Sequence, residues 1–217
     1  MLVVAAPNEA QAILSSRGGL PLPPPWSCMT VAPHLDMVIS GVSKANAAGA
    51  AARVLDPARH RAVLSIGIAG SLPGECAPPI GSVVLATACV MADEGMQGPT
   101  SFSDCAALGF PLGDFEGSSV PVSGGLGAAL RPLADAAGPI ATVSTCSGTD
   151  EAASRVASRT GAIAESMEGA AVALVGARLG IAAGEIRVIS NTTGDRPKQT
   201  WRIREAFDRL AALAAAL

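Results

Sequence analysis

The chain has 217 residues, of which 49% are hydrophobic, 15% charged and 3% aromatic, a balance that supports a folded core and excludes intrinsic disorder. A formal net charge of −3 leaves no basic stripe and argues against nucleic acid as the main partner. With no tyrosine, the core must be built mainly from Ala, Val, Leu and Ile.

In chain order, Leu2 to Ala6 is a short apolar run that predicts a first strand. "GGLPLPPP" (Gly18 to Pro25) suits neither helix nor central strand and predicts a surface loop. Met37 to Ser40 predicts a second strand, and Ser43 is placed to cap an Ala-rich helix from Lys44 to Leu55. Ala62 to Ile66 predicts a buried strand ending in a turn, "GIAGS". Ser82 to Met91 is a long β-rich run closed by Asp93, Glu94 and Gly95. Gln97 to Gly127 is rich in Gly, Ser and Pro and predicts an excursion near the ligand site or a subunit interface. The C-terminal half alternates: strand at Ile140–Thr145, helix at Asp150–Arg159, strand at Ala162–Ala164, helix at Met167–Leu179, strand at Glu185–Ser190, and a helical tail from Trp201. This pattern predicts one α/β domain, residues 1–217, with a largely parallel sheet covered by helices.

Five cysteines stand singly with no CxxC pair, so free thiols in a reducing cytoplasm are expected, behaving as small buried hydrophobes. His34 and His60 are the only histidines, and no metal site is expected. The opening "MLVVAAPNEAQ" lacks the basic start of a signal peptide. No uncharged apolar stretch approaches the ~18 residues of a membrane helix, so no membrane partner is expected.

Chemistry concentrates in a few places. "SIGIAGSLPG" (Ser65 to Gly74) puts small residues after a strand, as a tight turn or as backbone that approaches a ligand. In "AESMEGAAVALVGARLG", Glu168 starts an apolar helix, where it is either a favourable helix-start charge or an acid held by ligand hydroxyls. Glu165 is equally placed for the solvated helix-start role. Glu9 follows the first strand with the same two alternatives. In "VSTCSGTDEA", Thr149 or Asp150 serves as a helix cap. "EIRVISNTTGDRP" delivers an asparagine, Asn191, just past an apolar strand, where an α/β protein presents residues to its ligand.

Together "VVAAPNEAQAI", "GVSKANAA", "VLSIGIAGSLPG", "ADEG", "LGFPLG", "ATVSTCSGT", "AESMEGAAVA", "IRVISNTTGDR" and the Trp201–Ala206 segment resemble the nucleoside phosphorylase and nucleosidase superfamily over nearly the whole chain. Within it they most resemble the futalosine hydrolases of the alternative menaquinone route. The resemblance implies a single α/β domain with a central mixed β-sheet flanked by helices, a small-molecule nucleoside substrate, no cofactor, and a homo-oligomer. By position, Glu168 resembles the acid that binds the ribose hydroxyls and Met167 the residue packed on the sugar face. The backbone at Ala69 and Gly70 would lie near sugar or base, Glu9 would activate water, and Trp201 would line the 5′-substituent pocket. Methylthioadenosine/S-adenosylhomocysteine nucleosidases and purine nucleoside phosphorylases are the neighbouring alternatives.

Asn191 falls where the adenosine-type nucleosidases carry an aspartic acid. A protonated Asp suits adenine, whereas the NH₂ of Asn can donate to both N7 and O6 of a 6-oxopurine, so hypoxanthine is the expected base. "APNEAQAI" offers Glu9 and no cation before Arg17; a carboxylate facing the sugar repels phosphate, so hydrolysis is expected over phosphorolysis. Futalosine carries a benzoate on its 5′ side. Arg196 could pair with it, or could equally be a surface Arg paired with Asp195 or with solvent; Lys44 is a weaker candidate.

Overall fold

A computed structural model describes all 217 residues. The elements are β1 (Leu2–Val4), α1 (Pro7–Ser15), β2 (Met29–Ala32), β3 (Leu35–Ile39), α2 (Lys44–Val54), β4 (Ala62–Ser71), β5 (Val83–Met91), β6 (Gly95–Gln97), β7 (Phe102–Asp104), β8 (Ser119–Pro121), α3 (Gly124–Leu130), β9 (Ala136–Thr142), α4 (Asp150–Thr160), β10 (Ala164–Ser166), α5 (Gly169–Arg178), β11 (Ala182–Thr192) and α6 (Ile203–Ala215).

Nine strands form one sheet in the order β10-β9-β5-β11-β4-β1-β3-β2, with β8 added beside β5. β10 also pairs with β4, so β10, β9, β5, β11 and β4 close into a five-stranded ring, which hides the strand edges that an open sheet would expose there. The sheet is mixed rather than largely parallel. β1–β3, β1–β4, β11–β4, β5–β9 and β10–β9 are parallel, whereas β11–β5, β5–β8, β2–β3 and β10–β4 are antiparallel. Strand propensity alone carries no direction, and a run buried on both faces looks the same in either.

One side of the sheet buries Val3, Val38, Val63, Ala69 and Ile189 against the small side chains of α2 and α5. The other buries Leu64, Ile66, Ile186 and Val188 against α1 and α6 through Ile13, Leu14 and Leu210. Each fully buried Ile or Leu side chain contributes roughly 1.5–3 kcal/mol. Ala47, Ala50 and Ala51 on α2 and Ala170, Ala171 and Ala173 on α5 are buried, so the Ala-rich composition lets these helices lie close to the sheet and to each other.

Several expected boundaries move. "GIAGS" is strand throughout, because β11 runs beside β4 as far as Ser71. β11 likewise continues through Asn191 to Thr192, with a bulge between Ile189 and Asn191. The strand expected at Ala162–Ala164 lies at Ala164–Ser166, and the helix expected from Met167 begins at Gly169. The 97–127 excursion holds a small β6–β7 hairpin, the added strand β8 and α3. The caps at Ser43 and Thr149 are as expected, accepting from the backbone N–H of Asn46 and Ala152. All five cysteines are free, but only Cys89 is buried.

Candidate active site

Elements from both halves of the chain line a cleft of about 510 Å³. Ala5, Ala6, Asn8 and Glu9 come from the β1–α1 junction; Ile68, Ala69 and Gly70 from β4; Cys146, Ser147 and Gly148 from the loop after β9; and Glu165 through Glu168 from β10 and the start of α5. Ser190 and Asn191 of β11, then Arg196, Gln199, Trp201 and Phe207, complete the wall. All eight expected site residues, Glu9, Ala69, Gly70, Met167, Glu168, Asn191, Arg196 and Trp201, therefore border one cavity.

Glu9 is both a helix-start group and a pocket group. Its Oε2 accepts from the Ala6 N–H at 2.9 Å and its Oε1 from the Ile68 N–H at 2.8 Å. Burial pushes its carboxyl above the ordinary range, opposed by Arg187 and these two backbone donors.

Arg187 organises this end of the cleft. Its side chain is 1% exposed; its Nε donates to Glu185 Oε1 at 2.8 Å and its Nη2 to Ser65 Oγ at 2.8 Å, while Nη2 lies 3.3 Å from Glu168 Oε2. Burial works against its charge, but Glu185, Glu168 and Glu9 outweigh that and hold the guanidinium above its ordinary pKa. Space for the cluster comes from two glycines. A side chain at Gly67 would collide with Glu9 Oε1 and Arg187 Nη1, and one at Gly169 with the Glu185 carboxylate.

Glu168 sits at the N-cap of α5 but makes no capping bond with its side chain. Its Oε1 accepts instead from the backbone N–H of Ser43 at 3.2 Å. Ser43 has φ 111°, a conformation unusual for a residue with a side chain, and its N–H is thereby committed to the acid. Glu168 is thus a buried acid at the helix start and on the pocket wall, held by Ser43 and Arg187.

Asn191 is also held. Ser190 Oγ donates to its Oδ1 at 2.7 Å, and its Nδ2 donates to the Thr192 carbonyl at 2.9 Å. The opposite amide orientation would set Oδ1 against that carbonyl, so the two neighbours fix which end is the donor. One N–H of Nδ2 is therefore committed, and one remains for a ligand rather than the two expected.

Glu165 is not the solvated helix-start charge expected. It is buried, accepts from the Ser147 N–H at 2.9 Å and Ser147 Oγ at 2.6 Å, and burial raises its carboxyl above the ordinary range against those donors.

Arg196 does not pair with Asp195, which is taken by Lys198 at 2.8 Å. Its Nη1 donates to Gln199 Oε1, and its guanidinium stacks 4.5 Å from the centre of the Trp201 ring. Lys44 is committed to Asp93 and Glu94 at 2.5 and 3.1 Å.

Sequence reasoning missed Arg187, Glu185, Ser190 and Phe207, and it gave Glu165 the wrong surroundings. The available signal was Glu185 and Arg187 two apart in an otherwise apolar strand, hence on one face and buried together.

A second polar cluster lies outside the cleft. Cys28, Asp36 and His60 bring ligand-type atoms within 4.8 Å of one another, a proximity the scattered sequence positions did not suggest. His60 Nδ1 accepts from the Asp56 N–H, which leaves the proton on Nε2, 3.1 Å from Asp36 Oδ2. A metal on Nε2 would need that nitrogen bare and the proton moved to Nδ1, against a backbone donor. Asp36 is further engaged by Thr30 and Arg59. The cluster is therefore a hydrogen-bonded structural pair.

Comparison with known proteins accords with this architecture. Residues 2–217 match the family model for the phosphorylase superfamily. The futalosine hydrolase of Acidothermus cellulolyticus is 35% identical over 221 residues, covering 100% of this chain and 89% of that protein. The futalosine hydrolase of Streptomyces coelicolor is 35% identical over 188 residues, covering 84% and 76%. Among solved structures, a futalosine hydrolase mutant of Helicobacter pylori superposes with TM-score 0.74 at 20% identity, covering 99% of this chain and 96% of that one. The methylthioadenosine/S-adenosylhomocysteine nucleosidase of Streptococcus pneumoniae, in complex with 8-aminoadenine, gives 0.77 at 20% identity, with coverage of 99% and 96%. This chain belongs to the phosphorylase superfamily and, within it, to the futalosine hydrolase family.

Proposed function

We propose that this protein hydrolyses the N-glycosidic bond of futalosine and releases hypoxanthine, serving the alternative menaquinone route. The carrying observation is the Asn191 amide, oriented by Ser190 and Thr192 so that an N–H remains for the cleft. A 6-oxopurine offers acceptors at N7 and O6 to that donor, whereas adenine offers a 6-amino donor beside N7.

The opposite end supplies the sugar and water chemistry. Glu168 binds the ribose hydroxyls, Met167 packs on the sugar face, and Glu9 takes a proton from water as its oxygen bonds to C1′. The C1′–N9 bond breaks with its electrons passing to the purine, through an oxocarbenium-like transition state, and the departing base anion takes a proton from water to leave as hypoxanthine. Asn191 stabilises the charge that builds over N7 and O6. Arg187 holds Glu168 on one side and keeps positive charge beside Glu9, which favours the ionised base against its burial.

Arg196 and Trp201 bind the acidic 5′ group. Support comes from the exposed guanidinium, which has no carboxylate partner, and from its stacking on the indole. A homo-oligomer is in keeping with the exposed Met96, Leu108 and Phe110 of one segment, and sedimentation velocity measures it. The five free thiols favour a reducing compartment such as the cytoplasm. No helix is long and apolar enough to cross a membrane.

The test is incubation with futalosine and with methylthioadenosine in phosphate-free buffer, following the free base. Hypoxanthine release from futalosine is expected. Adenine release without hypoxanthine would overturn the assignment, and a requirement for phosphate would make the enzyme a phosphorylase.

A further inference from the structure

The mechanism above leaves one buried carboxylate of the cleft unused. Glu165 belongs neither to the Arg187 cluster nor to any salt bridge, and its only hydrogen-bond partner is Ser147. Strand register places it. Glu165 pairs with Gly70 on β10–β4, and Gly70 pairs with Asn191 on β4–β11. Glu165, Gly70 and Asn191 thus form one row across three strands, with the glycine in the middle. A Cβ at Gly70 would meet Thr193 Cγ2 at 2.8 Å, Asn191 Nδ2 at 3.2 Å and Glu165 Cγ at 3.7 Å, so the Thr193 methyl fills the space over Gly70 with both polar side chains beside it, and Glu165, Gly70 and Asn191 all line the cleft. With strands spaced at ~4.8 Å, the outer backbones are roughly 10 Å apart, a span on the scale of a base held by one side chain on each side.

We propose that Glu165 selects the base: its carboxylate accepts the N1–H of a 6-oxopurine while Asn191 donates on the O6 and N7 side. This rests on the nucleoside assignment above and deepens it. A carboxylate oxygen has more than one acceptor site, so the two Ser147 donors leave capacity on each oxygen for a ligand. Holding the 143–149 loop through Ser147 needs no charge, and burying a carboxylate is costly unless its acceptors are filled. Hypoxanthine fills one through N1–H. Adenine presents a lone pair at N1, which the carboxylate repels, and a 6-amino donor opposite the Asn191 N–H. The row therefore rejects adenine at two adjacent positions, each leaving buried polar groups unpaired.

The experiment titrates free bases into the full-length protein by calorimetry, independently of turnover. For the wild-type protein, hypoxanthine should bind about tenfold or more tightly than 1-methylhypoxanthine, which keeps O6 and N7 but lacks N1–H. Glu165→Gln keeps the shape and exchanges an acceptor for a donor; it should weaken hypoxanthine about tenfold or more while weakening adenine less, so the preference narrows. Equal weakening of both bases in Glu165→Gln, as loss of a loop anchor alone would give, overturns the proposal. So does wild-type protein that binds 1-methylhypoxanthine as well as hypoxanthine. If the wild-type protein leaves futalosine intact, the hydrolase assignment falls, and the free-base titrations still decide the role of Glu165.

Discussion

Asn191 and Glu9 sit at the two ends of the proposed chemistry, and each can be changed by one atom. Asn191→Asp would place a carboxyl against Ser190 Oγ and the Thr192 carbonyl, where Nδ2 now donates. An ionised Asp has no donor for the base, so hypoxanthine release should fall about tenfold or more in kcat/KM; an unchanged rate would remove Asn191 from the base contact. Glu9→Gln keeps the acceptor toward Ala6 or Ile68 but cannot take a proton. Turnover should drop about 10²–10⁴-fold while hypoxanthine binding, read by calorimetry, stays near wild type. Because burial raises the Glu9 carboxyl and the base must be ionised, the acid limb of kcat/KM should lie above the ordinary carboxylate range. It should be absent from the residual activity of the Gln variant. At this scale the residues alone left Glu9 and Glu168 between two roles, and the family motifs singled them out together with Asn191, all three of which line the cleft. The sequence misplaced Glu165 as a solvated charge, because whether an acid before a helix is solvated or buried depends on which loop lies across it, here Ser147.

At the scale of the element, β11 joins the buried ion cluster to the cleft wall. Its residues Glu185 and Arg187 carry the buried ion pair, and Ser190 and Asn191 the amide. Arg187→Met would leave Glu185 and Glu168 without their cation, with an expected loss of about 3–5 kcal/mol, seen as a lower urea midpoint. Stability equal to wild type would mean that the carboxylates find other compensation. The alternation in "EIRVIS" predicts the strand but not its reach. The apolar pattern ends at Ile189, whereas pairing with β4 carries the strand to Thr192. Backbone pairing past a bulge leaves no hydrophobic trace, and for the same reason "GIAGS" resembles a turn. Local chemistry did mark the helix starts, since the Ser43 and Thr149 caps act within their own segments.

For the whole molecule, the α/β class followed from alternation, while strand direction and the closed ring did not, because they depend on contacts between residues far apart in sequence. Acids of opposite tendency then shape the response to pH. Asp36 is pulled down by Thr30, His60 and Arg59 against its burial, and Asp135 chiefly by the Val83 N–H. Their folded pKa values lie below the unfolded ones, so their stabilisation is full above the ordinary carboxylate range and is lost as pH falls below it. Glu9 and Glu165 are raised, mainly by burial; the folded state holds their protons more tightly, and they favour folding less as pH rises through the raised values. Stability should therefore peak in mild acid, between these windows, and urea midpoints against pH should trace that maximum; a steady decline from neutral pH down to the ordinary carboxylate range would contradict it. The bulge at Ser190 has a consequence in inheritance. Up to Ile189 the strand answers to the core and to the buried Arg187 cluster, where most substitutions are purged, and beyond it Asn191 answers to the proposed base contact. Asn and Asp codons differ by a single nucleotide, so a lineage can alter the proposed base donor at Asn191 in one mutational step, with the sugar-binding end inherited intact and the proposed Glu165 contact still opposing adenine.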